Sequence, residues 1–304
     1  MATVFVTRAL PGAALERLRQ IHAVTLWPGV LPPSPESLRE ALAKTEGLLC
    51  LLTDRVDAAL LDAAPKLRAI ANYAVGTDNI DLALTAARGI PVGVTPDVLT
   101  EATADLAFAL LLAAARRLPE AAAAAREGGW RTWEPEGWLG ADVDGATLGI
   151  VGFGRIGRAV ARRAEGFRMT VLSTADTPFE ELLERSDFVS LHCPLTPQTH
   201  HLIDASALAQ MRRSAILVNT ARGGVVDQGA LIGALERGEI AAAAIDVTDP
   251  EPPSADDPVY TTPNLLVTPH IGSATHGARA RMTELAVENL LAGLDGKPMP
   301  HPAR

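Results

Sequence analysis

The sequence has few cysteines and no excess of positive charge, and each of these absences argues against a class of protein. Among 304 residues only Cys50 and Cys193 are cysteines, which is too few for a disulfide framework, and no Cys/His cluster suggests zinc. Lysine and arginine number 27 against 36 aspartates and glutamates, giving a formal net charge of −9. Because non-specific binding to a nucleic-acid backbone requires clustered basic residues, we expect no nucleic-acid partner. The lack of a Cys/His cluster leads us to expect no metal.

Long hydrophobic runs are also lacking. The most apolar segment, ATADLAFALLLAAA at 102–115, is shorter than a membrane span and contains Asp105, so it predicts a buried core helix. The N-terminal segment MATVFVTRALPG has only about four apolar residues before Arg8, which does not resemble a signal peptide. We therefore expect a cytoplasmic protein that does not contact a membrane.

Short β-rich runs alternate with helical stretches along the chain. Runs such as AILVN and LLVT are apolar on both faces, which is typical of parallel strands covered by helices. The alternation predicts doubly wound α/β sheets, and the length allows two domains. A long helix is expected to start near Thr100 and to lead from the first set of elements into the second. Strands are predicted at 3–7, 47–51, 67–71, 92–94, 147–151, 169–172, 187–192, 215–219, 241–247 and 265–268.

A glycine-rich pattern marks a candidate dinucleotide site. The segment LGIVGFGRIGRAVARRA places Gly152, Gly154 and Gly157 as G-x-G-x-x-G between an apolar strand and an amphipathic helix, which is the context that the motif requires. The first glycine permits a tight turn, the second lets a pyrophosphate approach the helix N-terminus, and the third allows close helix–strand packing. The alternative is a packing turn that binds no ligand.

Asp176 is the candidate for the acidic residue that meets the adenosine ribose about 20 positions beyond such glycines. It follows the next strand, in MTVLSTADTP. A carboxylate there favours the free 2′-hydroxyl of NAD over the 2′-phosphate of NADP, so we expect NAD or NADP as the cofactor, with NAD favoured. The alternative is a solvated loop aspartate, which fits the sequence about equally well.

Three charged residues follow three strands in the second half of the chain. Arg222 comes after AILVNT, Glu251 lies in a proline-bounded loop after AAIDV, and His270 follows LLVTP. Ligands of open α/β sheets bind beyond the carboxyl ends of the strands. Arginine suits a planar carboxylate, and a carboxylate bonded to an imidazole favours the protonated ring that a proton donor needs. The alternatives are a structural ion pair for Arg222 and a satisfied core or surface position for His270.

Three other histidines are interpreted structurally. His192 ends a predicted strand and is followed by Cys-Pro-Leu, so we interpret it as packing or cofactor-loop structure. His200 and His201 lie in a polar loop, and we interpret them as solvated. Such positions are more common for histidine than a catalytic or ligating one.

Together these motifs resemble a known family. The segments GFGRIG, SDFVSLHCPLT, NTARGG, IDVTDPEP and TPHIGSAT are similar to those of the D-isomer-specific 2-hydroxyacid dehydrogenases. GLLCLLTDRVD, YAVGTDNID, TPDVLTEATADLA and RRLPEAAAAAREGGWRTW are most similar to the glyoxylate/hydroxypyruvate reductase branch. The resemblance runs nearly end to end. It implies two doubly wound parallel-sheet domains: a flavodoxin-like substrate domain formed by 1–99 and 276–304, and a Rossmann-type coenzyme domain, 100–275, inserted into it.

The resemblance also implies roles for individual residues around the substrate. His270 would be the acid/base, Glu251 its partner and Arg222 the anchor of the substrate carboxylate and carbonyl. Val75 and Gly76 would donate backbone N–H groups to that carboxylate. The active site would lie in the cleft between the domains.

Further contacts implied by the resemblance concern the cofactor and a second subunit. Ser273 would border the substrate, and Trp138 would reach the site of the partner in a homodimer. Asp246 would meet the nicotinamide carboxamide. Cofactor contacts are implied for Gly152, Gly154, Arg155, Ile156, Gly157, Asp176, Pro194, Thr220, Asp246 and Gly272.

The implied activity is the reduction of glyoxylate or hydroxypyruvate with NAD(P)H, reversible as D-glycerate dehydrogenase. Two alternatives remain open at this point. One is a D-3-phosphoglycerate dehydrogenase-like enzyme, which needs further basic residues to hold a phosphate. The other is a non-catalytic NAD-sensing binding protein, because the transcriptional corepressors resemble this family. Two departures bear on the cofactor: Asp176 stands where NADP-preferring members carry arginine, and the segment 177–179 is much shorter than usual.

Overall fold

The computed structural model describes residues 1–303, which form two compact units. Unit 1 is Met1–Leu99 together with the described residues from Ala274 onward, and unit 2 is Thr100–Ser273. No helix within residues 1–303 combines the length and apolar character needed to cross a membrane.

Strands and helices alternate along nearly the whole chain. The strands are β1 (Thr3–Val6), β2 (Ala23–Leu26), β3 (Gly47–Cys50), β4 (Ala69–Asn72), β5 (Val92–Gly93), β6 (Thr147–Val151), β7 (Thr170–Ser173), β8 (Phe188–Leu191), β9 (Ile216–Asn219), β10 (Ala242–Ile245) and β11 (Leu265–Val267). The helices are α1 (Ala14–Ile21), α2 (Pro35–Leu42), α3 (Ala58–Ala63), α4 (Leu82–Ala87), α5 (Thr100–Ala115), α6 (Leu118–Arg126), α7 (Arg155–Glu165), α8 (Phe179–Arg185), α9 (Ala205–Gln210), α10 (Gln228–Glu236) and α11 (His276–Leu294).

Each unit is built on one parallel sheet, so the predicted fold class is confirmed. The five-stranded sheet of unit 1 has the order β2-β1-β3-β4-β5, which is the flavodoxin-like order. The six-stranded sheet of unit 2 has the order β11-β10-β9-β8-β6-β7. Strands β3, β4, β8 and β9 are buried at every residue, as expected where helices cover both faces.

Short polar side chains set where many of the helices begin. Asp81, Asp204 and Asp227 each precede a helix, and each side chain accepts a hydrogen bond from the backbone N–H three residues later. Thr275 does the same for α11. Because the first N–H groups of a helix lack intrahelical acceptors, these caps fix the strand-to-helix turns in register with the sheet.

Unit 2 reverses direction at β6, and this determines where a ligand can bind. The chain passes from β6 out to β7, returns across the sheet to β8 beside β6, and continues outward to β11. Only one strand lies outside β6, whereas the Rossmann order has two. The chain goes from β7 through the short segment 174–178 directly into α8. The carboxyl ends of β6 and β8 therefore flank the topological switch point, where α/β sheets bind ligands.

One strand was missing from the prediction. Strand β2, with sequence AVTL, lies at the edge of the unit 1 sheet and pairs only with β1. Its residues alternate between exposed and half-buried. An edge strand with so little burial produces a weak apolar pattern, which explains why a run of four residues gave no signal.

Helix α11 belongs to unit 1 and fixes the end of its sheet. Asn289 is fully buried on this helix. Its Nδ2 donates to Val94 O at 2.9 Å, and its Oδ1 accepts from His301 N at 2.9 Å. A Cβ added to Gly93 would lie 2.4 Å from Asn289 Cβ, so the strand approaches the helix at a glycine. One amide thus satisfies two backbone groups next to β5.

We predict that Asn289→Ala destabilises unit 1 by about 2–3 kcal/mol, because it leaves the buried carbonyl of Val94 and the partly buried N–H of His301 without partners. Native-state hydrogen exchange of the β4 amides measures this loss within unit 1 alone. The matched control is Glu288→Ala, at an exposed neighbouring position on the same helix. Equal exchange of the β4 amides in the two variants would show that Asn289 does not stabilise unit 1.

Candidate active site

The glycine turn after β6 has the shape of a dinucleotide cradle. Gly152 has φ +93°, and a Cβ there would lie 2.5 Å from Cys193 N. A Cβ on Gly157 would lie 2.4 Å from Gly152 O, whereas a Cβ on Gly154 would meet no heavy atom within 4 Å. The first and third glycines are therefore required for packing, and the second leaves open space before the N-terminus of α7. That arrangement fits a pyrophosphate.

Two buried polar atoms lie on neighbouring strand ends beside this turn. Strands β8 and β9 pair in parallel, and His192 and Thr220 follow them. His192 Nδ1 and Thr220 Oγ1 are buried and have no hydrogen-bond partner within residues 1–303. Burial lowers the pKa of His192 to about 4, so its ring is neutral at neutral pH, and Nε2 lies 2.8 Å from Ser190 Oγ. These two unsatisfied atoms are available to form hydrogen bonds with a nicotinamide dinucleotide bound at this edge of the sheet.

Arg222 is presented by a loop that a buried side chain holds in place. Asn219, the last residue of β9, donates from Nδ2 to Arg222 O at 2.9 Å and accepts from Ala221 N at 3.0 Å. Arg222 Nη1 donates to Ala221 O at 2.8 Å. The backbone at Arg222 is extended and leads into a short 3-10 helix, Gly223–Val225. Asn219 therefore determines where the guanidinium emerges from the sheet edge.

The loops after β9 and β10 are in direct contact. A Cβ on Gly223 would lie 1.9 Å from Thr248 O, so glycine is needed at this position. Strands β9 and β10 are neighbours in the sheet. The loop that carries Arg222 therefore packs against the loop that leads to Glu251.

Asp246 holds the turn after β11. This buried carboxylate accepts from Thr268 Oγ1 at 2.5 Å and Ile271 N at 2.8 Å through Oδ1, and from Gly272 N at 2.8 Å through Oδ2. Burial raises the pKa of the Asp246 carboxyl, and these three hydrogen bonds act in the opposite direction. One acceptor position remains on Oδ2, so the contact with the cofactor implied for Asp246 stays a prediction.

His270 has a left-handed backbone, with φ 52°. This conformation is unfavourable for a residue with a Cβ and must be held by its surroundings. Its N–H is close to both Asp246 O (2.9 Å) and Thr268 O (3.0 Å). The ring Nδ1 lies 2.5 Å from Glu251 Oε1, and both side chains remain about 30% exposed. The structure therefore brings His270 and Glu251 together in a hydrogen-bonded pair that solvent and a ligand can reach.

Further predicted site residues of unit 2 include Pro194, Trp138 and Ser273. Pro194 and Trp138 are exposed, and the guanidinium carbon of Arg117 lies 5.5 Å from the centroid of the Trp138 ring. Ser273 is half-buried directly after the turn that Asp246 holds. Their roles stay predictions.

Asp176 is exposed, and its carboxylate is bonded within its own turn. Oδ1 accepts from Ser173 Oγ at 2.9 Å and from Thr177 Oγ1 at 3.2 Å. The side chain that contacts the glycine turn is Thr174, whose Oγ1 accepts from Gly152 N at 3.0 Å. Thr174 had no sequence signal, because nothing in the motif specifies a hydroxyl there.

Val75 and Gly76 lie in unit 1, in the turn that follows β4. Val75 is exposed and Gly76 is half-buried. The buried Asn72 donates from Nδ2 to Gly76 O at 2.8 Å, which fixes the conformation of this turn. Asn72 was missed from the sequence because its role is to support a backbone carbonyl.

Sequence comparison determines the family. A profile described as "D-isomer specific 2-hydroxyacid dehydrogenase, NAD binding domain" matches residues 108–272. The chain belongs to this family. Glyoxylate reductase from Korarchaeum cryptofilum (strain OPF8) is 50% identical to it over 313 residues, covering 98% of this chain and 94% of that protein. The predicted membership in the glyoxylate reductase branch is thus confirmed.

Solved structures that are similar to this chain have the same fold. A protein from Thermus thermophilus is 50% identical, with a TM-score of 0.94 over 99% of this chain and 100% of that chain. The NADPH-dependent glyoxylate/hydroxypyruvate reductase from Sinorhizobium meliloti, in complex with NADP and malonate, is 31% identical. Its TM-score is 0.86, over 99% of this chain and 96% of that chain.

We predict that Asp246→Asn loosens the turn that carries His270. The asparagine NH2 group replaces an acceptor, so at least one of the three donors is left unpaired in a buried place. Hydrogen exchange of the Ile271 and Gly272 amides should accelerate about tenfold or more, equivalent to about 1.4 kcal/mol. The control is Asp142→Asn at an exposed position in the same unit. Unchanged exchange at both amides would show that the carboxylate does not hold the turn.

Proposed function

We propose that this dehydrogenase reduces glyoxylate and hydroxypyruvate with NADH or NADPH, and acts in reverse as a D-glycerate dehydrogenase. The His270–Glu251 pair is the observation that carries the proposal. It lies at strand ends of a unit that also has a dinucleotide cradle and an arginine on the adjacent loop. The 50% identical Korarchaeum glyoxylate reductase supports the choice of substrate.

Arg222 binds the 2-oxo acid through its carboxylate. A guanidinium can pair with a planar carboxylate through two parallel hydrogen bonds, which sets the orientation of the substrate as well as its affinity. The same positive charge stabilises the negative charge that develops on the carbonyl oxygen during reduction. The substrate contacts implied for Val75 and Gly76, which lie in unit 1, stay predictions.

His270 delivers the proton. The nicotinamide, when bound, supplies a hydride to the carbonyl carbon of the substrate, and the carbonyl oxygen must then gain a proton to become the hydroxyl. Glu251 bonds to Nδ1 and holds the ring in place, which leaves Nε2 as the nitrogen that faces the reaction. In the oxidation direction the neutral ring takes the proton back.

Asp176, in the turn after β7, favours NADH over NADPH. The Asp176 carboxylate belongs to the turn after β7, whose Thr174 contacts Gly152. A negative charge in this turn disfavours a 2′-phosphate. We infer that NADH gives the higher kcat/KM; a higher value with NADPH would contradict this assignment of Asp176.

A homodimer in the cytoplasm is the assembly that we propose. The segment 130–139 exposes large apolar side chains: Trp130 and Trp133 are each 80% exposed and Leu139 is 66% exposed. A patch of this kind is typical of an interface, and Trp138 in the same segment would then reach the partner's site. Sedimentation equilibrium tests the assembly, and a monomer at micromolar concentration would contradict it.

The alternatives predict different measurements. A phosphoglycerate dehydrogenase-like enzyme would have a higher kcat/KM with phosphohydroxypyruvate than with glyoxylate or hydroxypyruvate. An NAD-sensing binding protein would bind NADH without oxidising it in the presence of any of the three. Initial rates with each 2-oxo acid and each reduced cofactor therefore separate all three functions, and the proposal requires turnover with glyoxylate or hydroxypyruvate.

We predict that His270→Ala lowers kcat/KM for hydroxypyruvate at least about 100-fold, because a positioned general acid contributes about 10²–10⁴-fold to the rate. Binding of NADH, measured by fluorescence titration, should stay within about twofold of the wild type, since the ring does not form the glycine cradle. His301→Ala, at a half-buried histidine of unit 1, is the control. Turnover near that of the wild type would exclude the acid/base role.

A further inference from the structure

Three exposed side chains of unit 2 converge at a place that the proposed reaction does not use. His200 and His201 lie in the loop after β8, and Asp249 lies in the loop after β10. The two imidazole rings are stacked, with centroids 4.0 Å apart and planes inclined by 25°. One ring nitrogen from each histidine and one Asp249 carboxylate oxygen all lie within 4.8 Å of one another.

The backbone of all three residues is fixed. His200 N donates to Thr196 O at 2.9 Å, and His201 N donates to Gly224 O at 2.8 Å. Asp249 N donates to Gln228 Oε1 at 3.3 Å. The backbone that carries the ring pair is therefore attached to the 3-10 helix that follows Arg222, while Asp249 is held from the start of α10. The folded unit brings these side chains together before any ligand arrives.

The nitrogen and oxygen atoms that could bind a metal have no hydrogen-bond or ion-pair partner among the described residues. Across residues 1–303, neither imidazole and neither oxygen of the Asp249 carboxylate makes a hydrogen bond or an ion pair. A structural cluster of this composition would be expected to pair a ring N–H with the carboxylate. Here three groups that can each donate a lone pair face one another.

Two imidazoles and one carboxylate are the ligand types that zinc and its neighbours prefer. Zinc binds histidine nitrogen at about 2.0–2.1 Å and carboxylate oxygen at about 2.0–2.2 Å, usually with four ligands in a tetrahedron. Donor atoms in such a tetrahedron are about 3.3 Å apart. Small side-chain rotations close the remaining gap, because all three residues are exposed. Magnesium and calcium prefer sites built only from oxygen.

We propose that His200, His201 and Asp249 form a binding site for a divalent transition-metal ion of the zinc class, with water completing the coordination. Asp249 lies two residues before Glu251, and the carbonyl of Thr248 packs against Gly223. A bound ion therefore ties the loop that carries Glu251 to the loop at 196–201. Metal binding restrains the segment 248–251 through Asp249, and not through His270 or Glu251.

Isothermal titration of the metal-stripped full chain, prepared without a polyhistidine tag, measures binding of Zn²⁺. One strong equivalent per chain is expected, and excess Mg²⁺ should not compete. Titration with Co²⁺ gives a second readout, because its visible absorption reports a low-coordinate site with nitrogen ligands. Absence of saturable binding of either ion would overturn the proposal.

Three variants test the ligands: His200→Ala, His201→Ala and Asp249→Asn. Each should weaken Zn²⁺ binding at least about tenfold, since loss of even an outer-shell partner of a metal costs about 10–100-fold in affinity. His276→Ala removes an exposed histidine from unit 1 and is the matched control, with binding expected to be unchanged. Equal affinity in all four variants would locate the metal elsewhere and contradict the proposal.

Hydrogen exchange tests the link to the Glu251 loop. Addition of Zn²⁺ to the wild type should slow exchange of the Thr248, Asp249 and Glu251 amides, and the effect should disappear in His201→Ala. This measurement does not depend on turnover, so its outcome is separate from that of the proposed reductase activity. Binding without any change in these three amides would exclude the restraint on the loop.

Discussion

The buried carboxylate of Asp246 makes the hydrogen bonds on which the candidate active site depends. Its two oxygens accept from the hydroxyl of Thr268 and from two successive backbone N–H groups, Ile271 and Gly272. Between these contacts His270 has a left-handed backbone, which costs about 1–2 kcal/mol and needs support. Burial of the Asp246 carboxylate is unfavourable, but its hydrogen bonds hold the left-handed backbone of His270. That backbone conformation directs the imidazole to Glu251.

The parallel sheet turns this local restraint into a site. Strands β9, β10 and β11 are neighbours, so the segments after them carry Arg222, Glu251 and His270 along one edge. The cradle after β6 lies at the reversal of the same sheet, where Gly152 permits a contact that any side chain would block. Functional groups that are spread over about 120 positions of the sequence lie at one edge of the sheet, because the carboxyl ends of parallel strands are all at that edge. Two glycines, Gly152 and Gly223, mark where backbone must meet backbone.

The sequence predicts the elements whose patterns are local and misses those that depend on contacts between distant segments. The glycine motif, the buried strands and the His270–Glu251 pairing followed from spacing, apolar runs and the position of charges after strands. The edge strand β2 was missed because half its residues are exposed. Supporting residues such as Asn219 and Thr174 were missed because they bond to backbone groups that no motif specifies. The grouping of Asp249 with two histidines was invisible for the same reason, since 48 positions separate it from His201.

In the proposed mechanism, Glu251 acts on the reaction only through His270. A double-mutant cycle on kcat/KM with hydroxypyruvate measures this directly, using Glu251→Gln, His270→Ala and the combined variant. We expect the combined variant to be no slower than His270→Ala alone, because the carboxylate has no imidazole left to orient. If the losses multiply, so that Glu251→Gln lowers kcat/KM by the same factor with and without the imidazole, Glu251 does not act through His270.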